Sequence, residues 1–499
     1  MRWLDVSSHD SRSSRLRLAV GAGVAVTGLL LAAPTGAAFA SRRPTPGVKP
    51  VFASSRLAGA SGSAEPRVAV TRAGVRYVAT NATQGTEIVY RSSDGLQWER
   101  TTGVPVGQTL PTTDVDIVAL PAGRLVTTEL DYAGINFITS YSDDGGRSWT
   151  ASRGTTFADT DRPWLAAGPV DPSTHEPYVY LLFHDLVSGT VQHNMFVSTS
   201  TDGGATFGVP TPITLPPSQA YLDLQCADSG GPSNIVVSPR GDMVYAVFGT
   251  RSSPIGGCAA QPVEVNVVAA NRVWVVGAPT GRTTDPTAWK ASLAVDDTAA
   301  GRIVGMQLAP GAVDTAGNVW VAYPESVKNY PDYNGAAIKL VHAAPGLAHW
   351  SRPILIAASG GAGHILPHLV AGAPGRIDLA YYTGVGTGPA TIWYSDAAQV
   401  LDGLSARPLI TRVQLSAVPV ERGTASSLMG ACLSGPAATL NGFTCGRSAD
   451  VYGIALDGCG RLVVTWPAQA GFAGTDGTYV SQQTGGPTLL ATRCTGGRW

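Results

Sequence analysis

Charged and polar side chains recur at one kind of position in this 499-residue chain, just ahead of short apolar runs. Glu65 and Arg67 precede Val68-Ala69-Val70, Asp114 and Asp116 precede Ile117-Val118-Ala119-Leu120, and Asp161 and Arg162 precede Trp164-Leu165-Ala166. Asn234, the pair His364 and His368, and the pair Asp450 and Tyr452 hold the same place later on. If the runs are brought together in space, these charges gather in one place and can bind a polar ligand. Their plainer role is to solvate a rim and satisfy loop backbone groups. His364-Ile365-Leu366-Pro367-His368 has the spacing of a metal pair, but Pro367 excludes a helical HxxxH. Residues four apart on a regular strand share a face. With no acidic third ligand nearby, a rim or core histidine pair is expected and no metal. No Gly-rich phosphate loop leads from a strand into a helix, no Gly-x-Ser-x-Gly elbow occurs, and no cofactor is expected.

The elements that position these residues announce themselves through a repeated turn. It reads Ser92-Ser93-Asp94-Gly95-Leu96-Gln97-Trp98, then Ser142-Asp143-Asp144-Gly145-Gly146-Arg147-Ser148-Trp149, then Ser200-Thr201-Asp202-Gly203-Gly204-Ala205-Thr206-Phe207. Each copy follows a β-type run: Ile88-Val89-Tyr90, Phe137-Ile138-Thr139 and Met195-Phe196-Val197. Ser and Asp side chains bond to backbone groups of the turn, glycine supplies positive φ, and the aromatic returns to the apolar layer. Recurrence from Asp94 to Asp144 to Asp202 signals a repeat architecture.

A second signal extends the count. Apolar runs turn through Gly at Ala73-Gly74, Ala122-Gly123, Arg240-Gly241, Ala316-Gly317, Pro374-Gly375 and Cys459-Gly460, and through a longer turn with Asp171-Pro172. These make seven units of strand-turn-strand type, and helical periodicity is nearly absent. The expected fold is therefore all-β: a β-propeller of four-stranded blades, seven by this count, with six as the alternative. A closed ring removes the exposed sheet edges that a long all-β chain must otherwise manage.

On the three Ser–Asp–Gly turns the chain resembles the Asp-box, or bacterial neuraminidase repeat, β-propellers of the sialidase superfamily. The resemblance implies that the turns are scaffold and that the ligand site is at the opposite mouth of the channel. It implies a three-arginine grip on a substrate carboxylate, which Arg67, Arg162 and Arg447 would supply. Tyr452 would then be the nucleophile, with Glu421 or Glu325 beside it, and Asp116 or Asp161 would handle the proton. The chain departs from the family's pattern. It has Glu65-Pro66-Arg67-Val68 where sialidases open with Arg-Ile-Pro, and Asp161-Arg162-Pro163-Trp164 stands in another unit. The expected function is that of an exported propeller acting on or binding glycans at the channel mouth, with sialidase-type hydrolysis as one form. The alternatives are a non-catalytic carbohydrate- or protein-binding propeller and a structural envelope protein.

Composition sets the surroundings. Arg2, Arg12, Arg15 and Arg17 precede an apolar run from Leu18 to Ala33 that ends at Ala38-Phe39-Ala40, so residues 1–40 read as a signal peptide and the chain as exported. Membrane contact is expected only through that segment. Residues 41–64 read as a Pro-, Ser- and Gly-rich mobile linker, although 48–54 can add an outer strand to the last blade. The propeller takes up 65–499, with insertions at 208–233, 250–261 and 401–449. Formal net charge is −1 and no basic stripe occurs, so nucleic acid is excluded as a partner and a monomer is expected. The six cysteines of an exported chain read as disulfides, and proximity favours Cys226–Cys258, Cys432–Cys445 and Cys459–Cys494.

Overall fold

A computed structural model describes residues 48–60, 65–81, 87–106, 111–131, 136–155, 160–185, 194–226, 231–252, 270–304, 308–327, 335–424, 453–468 and 476–490. The strands form seven antiparallel sheets built on a four-strand pattern. Their inner strands are Arg67–Val70, Pro111–Ala119, Thr160–Val170, Pro232–Val237, Gly311–Val313, Gly363–Ala371 and Ile454–Leu456. Each packs beside the next in that order, and Ile454–Leu456 returns to Arg67–Val70, which closes a seven-bladed β-propeller. Blades are numbered 1 to 7 in that order.

The ring is sealed by the early part of the chain. Blade 7 draws three strands from the C-terminal region, and Val51–Arg56 supplies the fourth by pairing antiparallel with Gly477–Gly485. The stretch 41–64, read as a mobile linker, therefore contains a strand. The edge of Gly477–Gly485 offers it a full row of backbone partners. Two of the insertions also contribute elements to the described structure. Residues 208–233 include the fourth strand of blade 3, Thr211–Pro212, and the one α-helix among the described residues, Gln219–Leu224, capped by Ser218. Residues 401–449 begin with the fourth strand of blade 6, Leu409–Gln414, and a short strand, Glu421–Arg422.

Most of the core lies between blades. In Met243–Thr250 of blade 4, Val244, Ala246 and Phe248 pack towards one neighbouring blade, while Tyr245 and Val247 pack towards the other. Such a strand is apolar on both faces, so it reads as a continuous apolar run rather than an alternating one. Trp320, Trp393 and Trp466 are fully buried in these layers.

The three Ser–Asp–Gly turns occupy equivalent corners, joining the third and fourth strands of blades 1, 2 and 3. Asp94 Oδ1 accepts from the backbone N–H groups of Leu96 and Gln97, both at 2.8 Å, and from Ser92 Oγ at 3.0 Å. Asp144 accepts from the N–H groups of Arg147 and Ser148, both at 2.9 Å. Asp202 accepts from Thr206 N–H at 2.8 Å and Thr206 Oγ1 at 2.6 Å. Burial would raise the Asp202 carboxyl, but the Thr206 and Ser200 hydrogen bonds outweigh it and hold the group below the usual range. Each turn also leans on the preceding blade. Arg124 of blade 2 donates to the carbonyls of Asp202 at 3.0 Å and Gly203 at 3.3 Å. Because strands alternate in direction, these turns share a face with the hairpins between first and second strands. The inner strands begin on the opposite face.

Candidate functional site

That opposite mouth is where the structure gathers several of the residues expected at the site. Arg67 opens blade 1, and its Nε donates to Asp116 Oδ1 of blade 2 at 2.9 Å. Its guanidinium stacks over Trp164 of blade 3, with the carbon 4.5 Å from the ring centroid. Asp116 is buried and accepts in addition from Ile117 N–H at 2.9 Å and, through Oδ2, from Leu165 N–H at 2.8 Å. Arg67 and Asp116 thus stitch blades 1, 2 and 3 together. Both Asp116 oxygens are spent on that task.

Asp161 and Arg162 have a different setting. Thr160–Val170 pairs Asp161 with His184 of the second strand, then slips register before Trp164 meets Leu182. The slip is a β-bulge, and Pro163 sits inside it, where a residue without an N–H removes no ladder bond. Arg162, at φ 60°, takes up the left-handed backbone that the bulge requires. Asp161 Oδ2 lies 3.6 Å from His184 Nε2, and Asp161 Oδ1 accepts from Arg162 N–H at 2.8 Å. Burial would raise the Asp161 carboxyl, but its interaction with His184 and the charge of Arg162 hold it down. A Cβ on Gly231 would come within 3.1 Å of His184 Nε2 and 3.3 Å of Arg162 Cγ, so this glycine lets the chain entering blade 4 lie against the pair. An imidazole, a carboxylate and an arginine side by side can bind an anion and move a proton.

Blade 6 repeats the bulge. Gly363–Ala371 slips register between Ile365 and His368, with Leu366 at φ 53° before Pro367. His364 pairs with Thr383 and His368 with Ala380, which lie three apart on one regular strand. The two histidines therefore point to opposite faces. This corrects the expectation that they share one, and it removes them as a metal pair. His364 Nδ1 meets Thr383 Oγ1 at 3.0 Å, and that hydroxyl donates to Asp396 at 2.5 Å. Among the described residues no group of three or more His, Cys, Asp or Glu side chains is placed to hold a metal ion.

Glu421 and Glu325 are not brought to this spot. Glu421 is buried in blade 6, where Oε1 accepts from Arg422 N–H at 3.0 Å and its strand pairs with Ile392 and Trp393. Glu325 belongs to blade 5. Arg447 and Tyr452 lie outside the described residues. Of the cysteines, Cys226 and Cys459 are described and neither is a free thiol. Their expected partners, and the pair Cys432–Cys445, lie outside the described residues.

Sequence reasoning missed His184, Glu87 and Glu129. Glu87 of blade 1 and Glu129 of blade 2 are both buried. Burial pushes the Glu87 carboxyl up, and the charges of Glu129 and Asp116 push it further. The signal was present: each of the three abuts the mouth end of an apolar strand, after Tyr178–Phe183, before Ile88-Val89-Tyr90 and after Leu125–Thr128. Attention to inner strands alone passed over them.

No protein-family model matches the chain, and no curated protein matches it. Solved structures do. An ulvan lyase of polysaccharide lyase family PL25, bound to -[GlcA(1-4)Rha3S]-, aligns over 86% of this chain and 95% of its own with TM-score 0.52 and 10% identity. The same kind of lyase without that ligand aligns over 85% and 95%, with TM-score 0.50 and 10% identity. An α-L-arabinanase of Penicillium chrysogenum aligns over 88% and 98%, with TM-score 0.40 and 13% identity. These likenesses concern the fold.

Proposed function

We propose that this protein is an exported glycan-processing propeller that binds an acidic sugar chain at the mouth formed by blades 1 to 3. Arg162 is the anion-binding group, and Asp161 with His184 is the proton-handling pair. The observation that carries the reading is the bulge in blade 3, where Asp161 and His184 lie side by side and the adjoining Arg162 is held on left-handed backbone. Non-glycine residues held in left-handed conformation concentrate at functional sites. The fold likeness to an ulvan lyase, whose ligand carries glucuronate and a sulfated rhamnose, agrees with this as analogy only.

Sialidase-type hydrolysis is the finer form of the same proposal, and the three repeated turns favour it as Asp-boxes. It requires Arg447 and Tyr452 to complete the mouth. A second reading, binding without cleavage, is favoured by Arg67, whose guanidinium is engaged by Asp116 and Trp164. Incubating purified 41–499 with a fluorogenic sialoside and with polyuronates separates these forms. Cleavage lost in Asp161→Asn and His184→Ala supports the catalytic reading, and loss in Tyr452→Phe supports its sialidase form. Glycan binding without turnover leaves binding alone. Absence of both binding and cleavage refutes the proposal.

A further inference from the structure

A second cluster of charge lies on the same face of the propeller, in blade 5. Glu325, near the end of Val319–Ser326, receives Arg302 Nη1 at 2.7 Å and Lys339 Nζ at 2.5 Å on one carboxylate oxygen. Asp297, on the connection from blade 4, lies beside Glu325, and its Oδ2 is buried with no hydrogen-bond partner. Above them opens a cleft of about 750 Å³. Arg302 and Glu325 line it, with Ser326, Ser359 and Thr387 as hydroxyl donors and Gly360-Gly361 along one wall. The Arg302 side chain is 41% exposed, and its other N–H groups make no further hydrogen bond among the described residues. A half-used guanidinium facing a hydroxyl-lined cleft is built for a planar anion on a polyhydroxylated ligand.

We propose that this cleft is a second ligand site, which binds the carboxylate of an acidic sugar unit on the Arg302 guanidinium. Asp297 gates it. The charged and titratable groups facing Asp297 are Glu325, Lys339, Arg302 and Tyr323. Burial, then the closeness of the Glu325 carboxylate, raises its carboxyl to about 6. Above that pH Asp297 adds a second negative charge next to Glu325, which lines the cleft; below it the charge is gone. Affinity for an acidic sugar therefore rises as pH falls through about 6. The site stands apart from the mouth of blades 1 to 3 and does not rest on the function proposed there.

Isothermal titration of the exported chain carrying Arg162→Ala, which disables the mouth, tests this with an oligoglucuronate. Its methyl ester and an oligoglucose are the neutral controls. The expected result is binding roughly fivefold tighter at pH 5 than at pH 7.5, from one nearby charge in a half-exposed cleft. Arg302→Gln is expected to abolish it. Asp297→Asn is expected to bind at pH 7.5 as tightly as the parent does at pH 5, and it decides the matter alone if Arg302→Gln fails to fold. The proposal is overturned by equal binding of the neutral controls, by unchanged binding in Arg302→Gln, by a pH dependence that survives Asp297→Asn, or by no binding at all.

Discussion

Closing the ring puts a buried ion pair at the junction of its first and last blades, and removing it should be costly. Arg76 of blade 1 donates through Nη2 to Asp457 of blade 7 at 3.0 Å, and through Nε to Gln482 at 3.1 Å. Nη1 reaches the carbonyls of Gly74 at 2.6 Å and Ser93 at 3.2 Å. Both side chains of the pair are only 5% exposed. Arg76→Met keeps most of the volume but leaves the Asp457 carboxylate buried without its cation. Breaking a buried pair from one side costs about 3–5 kcal/mol. Asp457 Oδ1 still accepts from Cys459 N–H at 2.9 Å and Arg461 N–H at 3.0 Å, which places the loss at the lower end, about 3 kcal/mol. The internal control is Arg91–Glu99, whose side chains are 41% and 71% exposed. Arg91→Met should cost between about 0 and 1 kcal/mol. Urea denaturation followed by tryptophan fluorescence reads both as shifts of the midpoint. Equal shifts for the two variants would refute the view that this junction is held by desolvated charge.

Three further outcomes follow from the same structure. Asp202→Ala removes the carboxylate that closes its turn, and thermal or urea melts should show a loss of about 1–2 kcal/mol, as for a lost helix cap. Because the folded Asp202 carboxyl is held low, that contribution is present above the ordinary carboxylate range and fades in acid as pH falls through the lowered value. Asp378, fully buried opposite Gln399, has its carboxyl raised to about 7 by burial, so the folded state holds the proton more tightly than the unfolded chain does. Stability should fall as pH rises from the ordinary carboxylate range to about 7, and Asp378→Asn should melt higher than the parent at pH 8 but not at pH 4. Gly384→Ala would set a Cβ 2.5 Å from the Ala362 Cβ and 2.9 Å from Trp393, so it should lower the melting temperature while a surface control such as Gly74→Ser does so only through its backbone.

Much of the fold was legible because propeller blades advertise themselves locally. Asp94, Asp144 and Asp202 mark third-strand corners by side-chain chemistry that needs no tertiary information. The turns after the first strands, six through glycine and one through Asp171-Pro172, gave the correct count of seven. The site was less legible. Arg67, Asp116, Asp161 and Arg162 were found because polar residues precede apolar runs, yet their grouping depends on the ring. Arg67 meets Asp116 only because blades 1 and 2 are neighbours. His184 escaped notice because it ends a second strand, and the bulge at Pro163 sets its pairing with Asp161. The same bulge in blade 6 defeated the simple alternation used for His364 and His368. Period-two reasoning fails wherever one extra residue is inserted, and here that occurs at the mouth.

The most direct test of a glycan site in blade 3 is a crystal structure of residues 41–499 soaked with an acidic oligosaccharide. We predict sugar density over Arg162 and His184, with an acidic group of the sugar on the Arg162 guanidinium. Sugar found only on the face carrying Asp94, Asp144 and Asp202, or a mouth left empty while soluble binding is measured, would contradict it.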